Sequence, residues 1–110
     1  MAYDEDLADR IRGALGKEAY TEKKMFGGLA FLIGGNMSVA ASGHGGLLVR
    51  VDPERTEKLL EEPGAAQMEM GGRGPMKGWL HVSPDVLTDG ATLRKWVKRG
   101  VAYAHSLPAK

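Results

Sequence analysis

The sequence contains no cysteine. This absence excludes disulfides, thiolate zinc sites, iron–sulfur clusters and a cysteine nucleophile. No apolar run reaches the roughly 20 residues that a bilayer-spanning helix requires. The N-terminus is acidic through Asp4, Glu5 and Asp6, whereas a secretory signal begins with basic and then apolar residues. We therefore expect a cytoplasmic protein without membrane association.

Aromatic residues and net charge are also scarce. Aromatic side chains make up 6% of the chain, so aliphatic residues and methionine must fill most of the core. The net charge of +1 gives no overall basic field that would attract nucleic acid or an anionic membrane. A length of 110 residues with 43% hydrophobic content is typical of one globular domain. We expect a single domain over residues 1–110.

Both ends of the chain show helical patterns. Behind the potential cap Asp4, apolar residues recur at every fourth position, and behind Asp89 they recur with the 3.6-residue period. These positions are Leu7, Ile11 and Leu15 in the first pattern, and Leu93, Trp96, Val97, Val101 and Ala104 in the second. Each pattern predicts an amphipathic helix that packs on a core by one face.

Short apolar runs separated by glycine pairs occupy the middle of the chain, a pattern typical of antiparallel strands joined by tight turns. For Gly27-Gly28 we weigh a turn against a bulge within one continuous strand, and we favour the bulge, which leaves three long strands. The runs are Lys23–Phe26, Leu29–Ile33, Met37–Ser42 and Leu47–Val51.

The second half of the chain continues with a helix, two strands and the last helix. Asp52-Pro53-Glu54 begins a helix that must stop by Glu62, and Ser83-Pro84-Asp85 begins a helical turn. Strands are predicted at Gln67–Met70 and Gly78–Ser83. The predicted fold is a two-layer α+β domain, with a meandering antiparallel β-sheet packed against helices in the order α-β-β-β-α-β-β-α.

Five motifs spread over nearly the whole chain carry a family resemblance. They are Lys24-Met25-Phe26-Gly27-Gly28, Leu48-Val49-Arg50-Val51-Asp52-Pro53, Leu59-Leu60-Glu61-Glu62-Pro63-Gly64, Arg73-Gly74-Pro75-Met76-Lys77-Gly78-Trp79 and Leu93-Arg94-Lys95-Trp96-Val97. With these motifs the sequence resembles the N-terminal domain of the TfoX (Sxy) competence regulators. It is most similar to members that consist of this domain alone.

The resemblance implies a two-layer α+β fold and a role in bacterial competence. Two-domain members of the family are linked to the expression of DNA-uptake genes, where they assist a global transcription activator. We expect this chain to lack their second, helical domain. The family brings no catalytic residues and no cofactor, so we expect a non-enzymatic protein-interaction module in transcriptional regulation. A transcription regulator is the expected partner, and we favour a homodimer formed through a sheet edge.

Two of these motifs contain the candidate residues for partner binding. Apolar side chains beside glycines can form an exposed edge or loop that docks a protein, and they can equally well fill a core beside a turn or bulge. Both readings stay open. The candidate residues are Met25, Phe26, Gly27, Gly28, Arg73, Met76 and Lys77.

Two alternative functions remain open. The basic side of the last helix, with Arg94, Lys95, Lys98 and Arg99, could bind nucleic acid weakly, although a solvated helix face has the same pattern. A small anionic ligand could bind near Arg73 and Lys77 if the two side chains converge. The three histidines His44, His81 and His105 lack metal-ligand spacing, so we expect no metal site.

Overall fold

The structure, a computed structural model, describes residues 4–25, 27–43, 45–69 and 75–108, with the backbone alone at residues 25, 68, 69 and 75–77. Helices open and close the described chain, and six strands lie between them. The helices are α1 (Glu5–Leu15), a 3₁₀ helix (Pro53–Arg55), α2 (Thr56–Leu59), α3 (Pro84–Leu87) and α4 (Gly90–Ser106). The strands are β1 (Thr21–Met25), β2 (Gly28–Ile33), β3 (Asn36–Ala41), β4 (Leu47–Arg50), β5 (Ala65–Glu69) and β6 (Pro75–Val82).

The six strands form one antiparallel sheet in the order β1-β2-β3-β4-β6-β5. The first four strands follow one another as a meander, and β6 then inserts between β4 and the edge strand β5. The predicted α+β class and the order of helices and strands are confirmed, and the meander has one strand more than predicted. The last two strands begin two or three residues earlier than predicted.

The favoured interpretation of Gly27-Gly28 as a bulge is wrong. Met25 pairs with Gly28 across β1 and β2, so the chain reverses direction between them and the two runs are separate strands. Gly27 has a φ of 73°, a left-handed conformation that glycine adopts without a steric penalty. The turn requires that freedom, and the pair therefore marks a hairpin.

The real irregularity of the meander lies between β2 and β3. Phe31 pairs with Val39, but Leu32 pairs with Met37, so Ser38 is an extra residue on β3. Its hydroxyl donates a 2.9 Å hydrogen bond to the carbonyl of Phe31. Because one extra residue reverses the alternation of side chains, Met37 points to the sheet face opposite that of Val39.

The main core lies between one face of the sheet and the helices α1 and α4. The periodic apolar residues predicted for the two helices are buried there or packed against the core, and Trp96 is fully buried. Alternate strand residues, such as Phe31, Val49 and Leu80, supply the other side. No described helix has both the length and the apolarity needed to cross a bilayer.

The helices begin at the residues that the sequence indicates. Asp4, Asp52, Ser83 and Asp89 each accept at least one backbone N–H hydrogen bond at the start of a helix. These side chains satisfy donors that the first helical turn leaves without an internal partner. Thr92 donates a 2.9 Å hydrogen bond to Asp89, which holds the pKa of that carboxyl below its ordinary value.

Candidate functional site

The sheet face opposite α1 and α4 carries an apolar cluster of its own. Its centre is buried, whereas two of its members are only half-buried. Every member lies on a strand, and no described helix contributes to the cluster. We call this surface the helix-free face. It consists of Ala30, Met37, Ala40 and Leu48 at the centre and of Leu32 and Trp79 at the margin.

Basic residues flank the helix-free face. Lys23 pairs with Ala30, Leu48 with His81, and Arg50 with Trp79. Directly paired residues of a sheet point to the same face, so Lys23, His81 and Arg50 occupy register positions beside the cluster. The guanidinium of Arg50 lies between Trp79 of this face and Tyr103 of α4. Among the strand residues whose side chains are described, no carboxylate occupies a register position on this face. The face is therefore apolar and basic.

The acidic residue of β1 points to the other side of the sheet. Arg12 of α1 donates hydrogen bonds of 2.6 and 2.9 Å to Glu22. This pairing lowers the pKa of Glu22 and raises that of Arg12. The carboxylate is thus held on the helical side of the sheet and does not neutralise Lys23.

The edge of β1 gives little support to the predicted homodimer. Along its described length this strand pairs with β2 alone, and Thr21–Lys24 are exposed. Two neighbouring lysines on an edge strand disfavour pairing with a further strand. The homodimer stays a prediction.

A cleft of about 370 Å³ lies between the C-terminal half of α4 and residues 51–59. We call it the α4 cleft. One wall comes from successive turns of α4, and the other comes from the two residues after β4, the 3₁₀ helix and α2. The lining residues are Val51, Asp52, Arg55, Leu59, Lys98, Arg99, Ala102, Tyr103 and Ser106.

Two of the four basic residues predicted on α4 are paired with one carboxylate. The Nζ of Lys95 lies 2.9 Å from Glu62, and Nη2 of Arg99 lies 2.6 Å from it. These partners, Arg99 above all, hold the pKa of Glu62 below its ordinary value. The guanidinium carbon of Arg99 also lies 4.6 Å from the ring centroid of Trp96. Its Nη1 is buried without an acceptor among the described residues. The cation–π contact with the indole ring explains why the guanidinium lies there.

The other two basic residues form no ion pair among the described residues. Lys98 lines the α4 cleft together with Arg99, and Arg94 lines a groove with Arg10 of α1. Residues three or four apart on a helix are neighbours, so the four side chains follow one another along α4. Glu62 therefore leaves two of the four charges without an ion-pair partner.

The two predicted partner-binding motifs lie far apart in the sheet. Gly27 and Gly28 belong to the β1–β2 hairpin at one edge. The strand ends Glu69 and Pro75 flank the other motif near the opposite edge, at the other end of the strands. The described backbone of the two motifs therefore lies at opposite ends of the strands. Phe26 and Arg73, and the side chains of Met25, Met76 and Lys77, lie outside the described part of the chain.

No pattern in the sequence predicts the aromatic pair around Arg50. The guanidinium carbon of Arg50 lies 5.7 Å from the ring centroid of Trp79 and 5.7 Å from that of Tyr103. Both distances suit a cation–π contact. The three residues come from β4, β6 and α4, so only the strand order and the helix crossing bring them together.

The described histidines each have one close polar partner. His81 lies 2.7 Å from the carbonyl of Gly45, and His105 lies 2.6 Å from the carboxylate of Glu18. Within the described ranges, no three His, Asp or Glu side chains come close enough together to hold a metal ion. His44 falls outside those ranges.

The fold defines a small two-layer α+β domain whose helices cover one face of an open antiparallel sheet. The family model of the TfoX N-terminal domain matches residues 14–104. The chain therefore belongs to the TfoX N-terminal domain family, and the resemblance found in the sequence is confirmed. It is a domain of the competence-regulator type. No significant match was found among the curated proteins or the solved structures.

Proposed function

We propose that this domain is a non-enzymatic protein-interaction module of the cytoplasm that acts in transcriptional regulation. The helix-free face carries the proposal, because it is an apolar sheet surface to which no described helix contributes. The partner would be a protein segment that lays apolar side chains on Leu32 and Trp79, as helices and strands do when they dock on an apolar surface.

The chemistry of the face indicates the character of the partner. Lys23 and Arg50 flank the apolar centre, and the described side chains of this face include no carboxylate. A segment with acidic residues beside its apolar ones would complement both properties. Covering the exposed parts of Leu32 and Trp79 would supply much of the affinity, since a fully buried apolar side chain contributes roughly 1.5–3 kcal/mol.

Nucleic-acid binding through α4 receives less support. Glu62 neutralises part of the charge of Lys95 and Arg99, which leaves Arg94 and Lys98 as the two of the four that form no ion pair among the described residues. Affinity for a phosphate backbone depends on how many phosphates a surface neutralises together. A partly neutralised set of charges is therefore a weaker basis than the helix-free face.

Affinity capture with two matched lysine variants tests the proposal. The immobilised domain is incubated with a nuclease-treated extract of its own cells, and the retained proteins are identified. Lys23→Glu reverses a charge on the helix-free face, and Leu32→Glu places a charge within it. Lys24→Glu makes the same change one residue along β1, where the side chain lies on the other face of the sheet.

We expect a transcription regulator to be retained by the unaltered domain and by Lys24→Glu, and to be lost with Lys23→Glu and Leu32→Glu. Urea unfolding of each variant excludes general loss of the fold. If the unaltered domain retains no protein, or Lys23→Glu retains as much as Lys24→Glu, the proposal is wrong. Material retained only without nuclease would instead favour nucleic-acid binding.

A further inference from the structure

We propose that the α4 cleft binds a small organic anion, a phosphate or carboxylate carried on an apolar or ring-shaped body. The walls of this site are α4 and residues 51–59, which do not belong to the helix-free face, and Arg50 lies between the two surfaces. Its volume of about 370 Å³ lies near the lower end of the range for small-molecule pockets, roughly 300–1,000 Å³.

The lining of the α4 cleft has an excess of positive charge. Three cations, Arg55, Lys98 and Arg99, face the cleft together with one carboxylate, Asp52. Arg99 is engaged by Glu62, but no described carboxylate forms an ion pair with Arg55 or Lys98. An anion between Arg55 and Lys98 would relieve the repulsion of two like charges on facing walls.

Asp52, the acidic residue of the lining, caps a helix. Asp52 is the N-cap of the 3₁₀ helix, and its carboxylate accepts the N–H of Glu54 at 3.0 Å. The carboxylate is therefore directed along its own chain. Within the described residues it lies too far from both Arg55 and Lys98 to form an ion pair with either.

The rest of the lining is apolar and aromatic. Val51, Leu59 and Ala102 contribute aliphatic surface. Tyr103 contributes an aromatic ring, which also makes the cation–π contact with Arg50. Inorganic phosphate alone would leave this surface uncovered. A ligand with a flat or apolar body would cover it and gain the transfer free energy of that surface.

The direction of α4 indicates how such a ligand lies. Carbonyl groups at the C-terminus of a helix disfavour anions, but this effect is confined to the last turn. Lys98 stands about 12 Å along the axis from Ser106, at 1.5 Å per residue. The anionic group therefore belongs beside Lys98 and Arg55, and the apolar body lies towards Ala102 and Tyr103.

Titrations of the whole chain with phenyl phosphate, benzoate, inorganic phosphate and phenol, followed by NMR chemical shifts, test the proposal. We expect millimolar or tighter binding of phenyl phosphate or benzoate, weaker binding of inorganic phosphate, and none of phenol. Comparing the affinity for phenyl phosphate with that for benzoate distinguishes a phosphate site from a carboxylate site. The shifts should centre on residues 98–103 and 51–55.

Single substitutions locate the binding. Arg55→Gln and Lys98→Gln should each weaken binding about tenfold, since each removes one charge-assisted contact. Tyr103→Leu should reduce the preference for phenyl phosphate over inorganic phosphate. Lys95→Gln is the matched control, because Lys95 pairs with Glu62 and does not line the cleft. Absence of binding by all the anions, or equal weakening by Lys95→Gln and Lys98→Gln, overturns the proposal.

Discussion

Gly100 of α4 lies directly against the backbone of Ser38 in β3. A Cβ atom added to Gly100 would overlap the Ser38 carbonyl oxygen and would lie 2.7 Å from Cγ1 of Val39. This is where the longest helix crosses the sheet, and the crossing coincides with the β2–β3 bulge. The absence of a side chain at residue 100 therefore sets how closely α4 approaches the core.

Gly100→Ala is expected to destabilise the domain by about 1–3 kcal/mol. Alanine normally stabilises a helix relative to glycine by roughly 1 kcal/mol. Here the added methyl meets a backbone carbonyl, which cannot rotate away, so α4 must move and overpacking outweighs the helical gain. Urea unfolding monitored by circular dichroism measures the change.

Gly13→Ala in α1 is the matched control. A Cβ at Gly13 meets nothing within 4 Å, and the residue is exposed. Only the helical gain acts there, so this variant should be more stable than the unaltered chain by roughly 0.5–1 kcal/mol. Equal stabilisation by both substitutions would show that α4 does not approach β3 as closely as the structure places it.

The helices were predictable from sequence because their signals are local. Asp4 and Asp89 cap helices whose apolar stripes repeat within one element. The irregularity at Ser38 was not predictable, since it depends on how β2 pairs with β3 and no glycine marks it. The glycine pair at Gly27-Gly28 favoured a bulge in the wrong place, because a turn and a bulge both require a residue free to adopt positive φ.

The surfaces proposed here could be predicted only in part. Lys98 and Arg99 were recognisable as the basic side of a helix, but nothing in the sequence showed that both line a cleft and that Glu62 engages Arg99 alone of the two. Arg55 and Tyr103 come together only through the packing of α4 beside the 3₁₀ helix. Such tertiary juxtapositions leave no periodic signal in a single sequence.

Thr56→Val is expected to destabilise the domain by about 1–3 kcal/mol. The Thr56 hydroxyl accepts a 3.0 Å hydrogen bond from the buried backbone N–H of Gly78, and Thr56 itself is only 1% exposed. Valine preserves the shape but leaves that N–H without its partner, and a buried unsatisfied donor costs this much. Unfolding in urea gives the free energy, and hydrogen exchange should show faster exchange at the Gly78 amide.

Thr88→Val provides the comparison. Its hydroxyl donates a 3.1 Å hydrogen bond to the carbonyl of Asp85, but the site is exposed, so water can replace the lost hydroxyl. This variant should change stability by less than about 0.5 kcal/mol. If Thr56→Val is equally mild, the hydroxyl does not hold β6 to α2.

Glu62→Gln should destabilise the domain by about 1 kcal/mol near pH 7 and have almost no effect in acid. Lys95 and Arg99 hold the pKa of Glu62 below its ordinary value, so the folded state binds this proton less readily than the unfolded state. The ion pairs therefore contribute fully above the unfolded pKa of about 4.3, and the contribution disappears as the pH falls through the lower folded pKa.

Urea unfolding of the unaltered domain and of Glu62→Gln at several pH values between about 2 and 7 measures how the difference in stability depends on pH. This range spans the unfolded pKa of the carboxyl and the values below it. The two stabilities should converge at the acid end, because protonated Glu62 and glutamine are both uncharged. Added salt should reduce the difference at pH 7, since the pairs are partly exposed. Glu61→Gln, at the exposed neighbouring position, should show neither effect. A difference that stays constant with pH would mean that glutamine disturbs packing and that the charge of Glu62 does not anchor α4.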